Sequence, residues 1–309
     1  MFSSTLSSIQ ACNRVFVSSH LFRTSTSAGA SSRLPTAVFV GGTSGIGEGL
    51  ARVFARDTDG QSNIIIVGRN RKAAEKIFES LPRPTNTSSE SQPSRDFIEC
   101  DASLIKHVQT ATSEILQKYS KINYLLLTPG YLTLEGLNPT SEGIDKKLAV
   151  HYYARWKFAN DLLPALKKAK EAGEEAKVLS VLGAGIGAEA DAEDFGLKKE
   201  GNYTLSNVAL VSATYNDLMM QKLSLLNSSI AFLHSTPGVV RTNALAASPS
   251  ARLRLVNCLM PLAAPFMTTP EECASYQWHG IYTTSKTEEG QDAGAWRIGS
   301  KGEDLKKTR

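Results

Sequence analysis

The stretch AVFVGGTSGIGEGLARVFA at residues 37–55 decides how this chain is read. An apolar strand segment runs into a turn holding Gly41, Gly45 and Gly47, and the turn opens an amphipathic helix. The glycines answer three steric demands: a sharp turn, a backbone that approaches a pyrophosphate with no Cβ in the way, and a helix packed tightly on its strand. Free N–H groups and the positive end of the helix then face the anion. Thr43 and Ser44 add hydroxyl donors, and Ile46 lies between the last two glycines. These six residues are the expected phosphate cradle of a dinucleotide.

On both sides of this stretch, short apolar or β-branched runs alternate with longer helical patterns. The runs are AVFV at 37–40, NIIIV at 63–67, DFIEC at 96–100, NYLLLT at 123–128, KVLSVL at 177–182 and IAFLHS at 230–235. Such alternation predicts parallel strands joined by helical crossovers, and runs that are apolar at nearly every position predict strands covered on both faces. The fold class is therefore α/β, a doubly wound parallel sheet of the Rossmann type. It forms a single domain over residues 35–309, after an N-terminal extension at 1–34. The Pro-, Ser- and Thr-rich segment at 81–96 reads as a surface loop.

The 309 residues are 41% hydrophobic and 21% charged, enough to bury a large core. The 34 basic and 30 acidic residues leave a net charge of +4 with no run of four Lys or Arg, which argues against a nucleic-acid partner. Cys12, Cys100, Cys258 and Cys273 form no CxxC pair and the histidines no HxxxH, so neither a disulfide framework nor a metal site is indicated. The first 47 residues contain Arg14, Arg23 and Arg33, many Ser and Thr, and no Asp or Glu. Two readings compete for this segment. One is a mitochondrial transit peptide; the other is a polar linker, RTSTSAGASSR at 23–33, after a short apolar segment that packs on the domain. If residues 1–32 are removable, a chain starting near Arg33 should fold and bind its ligand like the full chain. A cytoplasmic location is the expectation and mitochondrial import the alternative. No apolar run approaches the ~20 residues needed to cross a bilayer. The segment RLRLVNCLMPLAAPFM at 252–267 is interrupted by Arg254 and two prolines, so no stable membrane insertion is expected.

At the end of the second strand, where an NAD site places a carboxylate for the ribose hydroxyls, the chain reads VGRNRK at 67–72. Arg69 offers a planar guanidinium able to pair with a 2′-phosphate, and Arg71 and Lys72 add positive field. NADP(H) is the expected cofactor.

With these motifs in hand, the chain resembles the short-chain dehydrogenase/reductase family over roughly residues 35–296. GGTSGIG is similar to that family's cofactor loop. The resemblance assigns Asp101 in ECDAS to the neighbourhood of the adenine and Gly130 in LLLTPG to the strand end beside the cofactor. It assigns Val239 and Thr242 in TPGVVRTN to the loop that clamps the nicotinamide. The family's catalytic set departs from pattern. Tyr203 matches a second tyrosine that some members carry six residues before the catalytic one, which puts Ala209 at the catalytic Tyr position and Ala213 at the Lys position. Gly183 stands where the family has Ser, and His151 where it has Asn. Tyr215 lies six residues past Ala209, off the active-site face. His151 is then the expected acid/base, with Tyr203 as the other candidate proton donor, and His151→Ala should remove a limb near neutrality from the pH–rate profile. The competing reading of His151 is a polar helix residue hydrogen-bonded to a nearby carbonyl. Tyr152, Tyr153, Trp156 and Phe158 read as core or subunit-contact aromatics, which leaves room for a homo-oligomer.

A filamentous-fungal branch of the family, often associated with secondary-metabolite pathways, shares GLKKEGNYTL-, HYYARWKF- and FLHSTPG-like segments and also lacks YxxxK. The resemblance implies an NADP(H)-dependent oxidoreductase moving hydride to or from a small organic carbonyl, alcohol or enone. The apolar segment at 244–267 is the expected substrate lid. A nucleotide-binding sensor or partner protein without turnover is the alternative, and a non-redox lyase, isomerase or cyclase the third.

Overall fold

The computed structural model describes residues 2–21, 34–84, 92–285 and 293–305. In chain order it consists of α1 (Phe2–Phe16), β1 (Thr36–Val40), α2 (Gly45–Asp57), β2 (Asn63–Gly68), α3 (Arg71–Ser80), β3 (Arg95–Glu99), α4 (Ile105–Lys118) and β4 (Tyr124–Leu127). Then come α5 (Lys146–Leu148), which passes through a π turn (Ala149–Tyr153) into α6 (Ala154–Glu171), and β5 (Lys177–Val181), α7 (Leu205–Leu226) and β6 (Ala231–Ser235). The chain closes with α8 (Ala251–Asn257), α9 (Met260–Ala263), α10 (Pro270–Thr283) and β7 (Gly294–Ile298). The seven strands form one parallel sheet in the order β3-β2-β1-β4-β5-β6-β7.

The period-2 geometry of the strands explains why the central ones are apolar at nearly every position. Ala37, Phe39, Ile64, Ile66, Tyr124, Leu126 and Leu233 enter a core with residues of α2 and α10 on one face. Their neighbours Val38, Val40, Ile65, Val67, Leu125, Leu127 and Phe232 enter a second core with residues of α4, α6 and α7 on the other. All six strands expected from the sequence are present. β7 is additional: it is an edge strand with most of its residues half-buried, so it lacks the doubly covered signature. The strand order reverses between β1 and β4, and the crevice at such a switch point, outside the carboxyl ends of the strands, is where this architecture binds ligands.

The start of the chain belongs to the folded body. Asn13 on α1 is fully buried and donates from Nδ2 to the Ser275 carbonyl of α10 at 3.0 Å. Phe16 stacks on Tyr282 at 4.5 Å, and Val17 is buried in the first core. Over residues 2–21 the extension is helical and packs on α10. The linker at 23–33 lies wholly outside the described residues, as does the 85–91 portion of the proposed surface loop. Removing residues 1–32 is expected to cost about 2 kcal/mol net of ordering entropy, because Phe16 and Val17 leave the core. A melting temperature matching that of the full chain would show the helix to be dispensable.

Candidate active site

The cradle is built by steric closeness. Gly41 adopts φ +80° and donates its N–H to Val67 O at 2.9 Å, which ties the turn to β2. A Cβ at Gly47 would lie 2.5 Å from both Gly41 O and Thr128 Oγ1, so the first turn of α2 fits against the loop only with glycine there. At Gly45, φ +57°, a Cβ would come within 3.2 Å of the Thr242 methyl, and at Gly68 within 2.9 Å of the Thr43 methyl. Gly41, Thr43, Ser44, Gly45, Ile46 and Gly47 thus lie together, with Thr242 on one side and the end of β2 on the other. Ser44 is the extended N-cap of α2, and its hydroxyl makes no capping bond. Gly130 faces open space. A backbone pared down at these points, around the positive end of a 13-residue helix, fits the pyrophosphate of a dinucleotide.

Arg69 is exposed immediately after β2, at the same end of the sheet. Burial raises the Asp101 carboxyl, but hydrogen bonds from Ser103 N and Oγ, 2.9 and 2.8 Å, and the Arg69 charge outweigh it and hold the group below its ordinary value. Arg71 lies over the Phe97 ring at 4.8 Å, while the Arg69 charge acts on Asp101 and on Tyr131. On the clamp, Val239 is 67% exposed and its carbonyl accepts from Thr268 N at 3.1 Å.

The positions that the resemblance assigns to catalysis have the following surroundings. A Cβ on Gly183 would meet Ile186 Cδ1 at 3.0 Å and Ala213 Cβ at 3.5 Å, so Gly183 and Ala213 lie close together, and neither carries a polar side chain. Ala209 is exposed, and Tyr215 is buried, donating to Phe195 O at 3.2 Å. His151 lies in the π turn, where its Nε2 accepts from the Tyr131 backbone N–H at 3.1 Å. Burial, and next the Arg155 charge, push its pKa down to about 3. The expected titration of His151 near neutrality is therefore corrected: the ring is a neutral acceptor holding the β4 loop. Tyr203 accepts from Lys147 Nζ at 3.0 Å, and burial together with hydrogen bonding to Asp145 raises its phenol above the ordinary range. Lys147 also donates to Glu135 O and Gly136 O at 2.7 and 3.0 Å. Tyr203 is tied into a loop-anchoring cluster one turn from His151.

Several site residues escaped the sequence reading. Arg155, fully buried, donates from Nη1 to Leu127 O, Ser180 Oγ and Val181 O (3.2, 2.6 and 2.9 Å) and from Nη2 to Pro129 O (2.6 Å). Ser180 donates to Asn216 Oδ1 at 2.8 Å, and Asn216 Nδ2 caps the His151 carbonyl at 2.8 Å. His234 accepts the Gly183 N–H at 3.2 Å and meets Asp217 at 2.7 Å through Nδ1, while Asp217 also accepts the Gly185 N–H at 3.1 Å. Together these bonds fix the ends of β4 and β5. The signal for Arg155 was its register: it stands three, four and seven residues before Phe158, Ala159 and Leu162 on a buried helical stripe.

Beyond the clamp, α8 and α9 bury no residue, and Leu255, Leu259, Leu262 and Phe266 are all more than half exposed. No helix among the described residues is long and apolar enough to cross a membrane. No group of three or more His, Cys, Asp or Glu that could hold a metal ion occurs among them.

A doubly wound sheet with a glycine cradle at its switch point defines a dinucleotide-binding α/β protein. Residues 35–192 match the short chain dehydrogenase family, and the chain belongs to that family. It is 40% identical over 208 residues to Oxidoreductase AN1596 of Emericella nidulans, a match covering 67% of this chain and 59% of that relative. It is 32% identical over 263 residues to Oxidoreductase andH of Emericella variicolor, covering 84% and 74%. Among solved structures, an alcohol dehydrogenase from the archaeon Thermococcus sibiricus complexed with 5-hydroxy-NADP shares the fold at a TM-score of 0.58 and 17% identity, covering 86% of this chain and 96% of that one. A nicotinamide dinucleotide is the cofactor class of this family.

Proposed function

We propose that the protein is an NADP(H)-dependent oxidoreductase acting on a small organic carbonyl, alcohol or enone. The observation that carries this reading is the packed cradle, with Gly47 against Gly41 and Thr128 and with Arg69 in place of the ribose-binding acid. The names of the fungal relatives and the NADP analogue in the archaeal structure's description support it. When bound, the cofactor supplies a hydride, two electrons with one proton, to the acceptor carbon. This chain's residues then bind and orient. Gly41 to Gly47 with α2 hold the pyrophosphate, Arg69 the 2′-phosphate, and Val239 with Thr242 the carboxamide end. General acid/base help is worth ~10²–10⁴-fold, so a site without the Tyr–Lys pair is slowed and still competent, with solvent as the proton source. Exposed apolar side chains at 255–266 suit an apolar substrate, and the fungal resemblance points to secondary metabolism. One feature favours a second reading, a nucleotide sensor without turnover: Ala209, Ala213 and Gly183 at the three catalytic positions.

Calorimetry tests the cofactor assignment. Arg69→Ala is expected to weaken NADPH by ~1–2 kcal/mol, the low end for a charge-assisted bond at an exposed site, and to leave NADH nearly unchanged. Equal losses for both dinucleotides would sink it.

A further inference from the structure

Arg155 carries a charge that its surroundings do not require. Its acceptors are three backbone carbonyls and a serine hydroxyl, all of which neutral donors could satisfy. Among the described residues no carboxylate pairs with it, and its Nε is buried without a partner. Desolvating an uncompensated cation costs several kcal/mol, and a helix stripe otherwise made of Ala, Phe and Leu would accept an apolar residue at this position. The charge lies beneath the carboxyl ends of β4 and β5, bonded to the last residue of each strand and to Pro129 just beyond. That is the floor of the crevice in which a doubly wound sheet receives its ligand.

Resting on the dinucleotide reading of that crevice, we propose that Arg155 is a positioning residue whose buried charge makes the site prefer the reduced cofactor, so that the protein works as a reductase. The physical basis is charge counting. The nicotinamide ring carries one positive charge more when oxidised than when reduced, and a fixed cation below the crevice opposes it. The same charge favours the negative oxygen that develops when a carbonyl accepts hydride. Arg155 stays protonated at neutral pH although burial lowers its pKa to about 9. Its field is felt nearby: after burial, it is the next influence holding His151 neutral.

The test is equilibrium binding of NADPH and NADP⁺ to the full chain, by calorimetry, for wild type, Arg155→Lys, Arg155→Gln and Arg155→Met. Wild type is expected to bind NADPH ~10-fold more tightly than NADP⁺, the effect of a unit charge at about a nanometre in a medium of effective dielectric ~20. Arg155→Lys should keep most of that ratio, while Gln and Met bring it toward one. A purely structural clamp would weaken both forms together in the Met variant and leave the ratio alone, and that result overturns the proposal. Should the neutral variants fail to fold, a wild-type ratio at or below one overturns it as well. Tight binding with an unaltered ratio fails this inference alone. Failure to bind either form defeats the dinucleotide reading and the inference with it.

Discussion

Gly47→Ala is expected to weaken NADPH binding ~10- to 100-fold while leaving the sheet folded. The new Cβ would sit 2.5 Å from Gly41 O and from Thr128 Oγ1. Thr128 Oγ1 is itself fixed by donating to Val40 O at 2.9 Å, so neither neighbour yields by rotating a free side chain. Relief must come from moving the Gly41 turn or the first turn of α2, and these are the surfaces proposed to hold the pyrophosphate. Overpacking of this kind typically costs ~1–3 kcal/mol, which matches the expected loss. Gly130→Ala is the contrast. Its Cβ would enter open space, so stability should be unchanged and any loss of affinity would report contact with the ligand alone. An unaltered dissociation constant in Gly47→Ala would mean that the cradle is not the binding site.

The second large effect is on stability at low pH. His151 has its pKa lowered from 6.5 to about 3 on folding, first by burial and then by Arg155. A depressed histidine adds stability above its unfolded pKa and surrenders it as pH falls, because the unfolded chain takes up the proton first. His151 should therefore withdraw about 3 kcal/mol between pH 7 and pH 4, spread over the window from 6.5 down to 3. His234, lowered chiefly by burial against the raising influence of Asp217, acts in the same direction. His151→Asn removes one of these titrations while keeping a group able to accept the Tyr131 N–H. Its urea-unfolding free energy should fall less steeply with acid than that of wild type, with a slope smaller by nearly one proton. Identical slopes would show that His151 is not held neutral in the folded chain.

What could be read in advance followed local sterics. The glycines of the cradle are legible because each is demanded by a turn or close approach within a few residues or one crossover. The central strands are legible because burial on both faces makes nearly every residue apolar. β7, covered as an edge, has no such imprint. The docking of α1 depends on Ser275 and Tyr282, more than 250 residues away, and no local pattern encodes it. Gly183 and Ala213, assigned to the Ser and Lys positions by resemblance, do lie close together. The chemistry assigned to His151 did not come through. Its protonation is set first by burial and then by the Arg155 charge, neither of which is visible in a local sequence pattern.

The same contacts shape what the proposed reaction should look like. With His151 lowered to about 3 and the Tyr203 and Tyr131 phenols raised, none of these three groups changes charge between pH 5 and pH 8. The most direct measurement is therefore NADPH consumption at saturating cofactor, followed by absorbance against a panel of ketones and enones across that range. The account predicts slow oxidation of NADPH with at least one acceptor and a kcat that is flat from pH 5 to pH 8. Tight binding of NADPH with no oxidation by any acceptor would contradict the account and leave a cofactor-binding protein in place of a reductase.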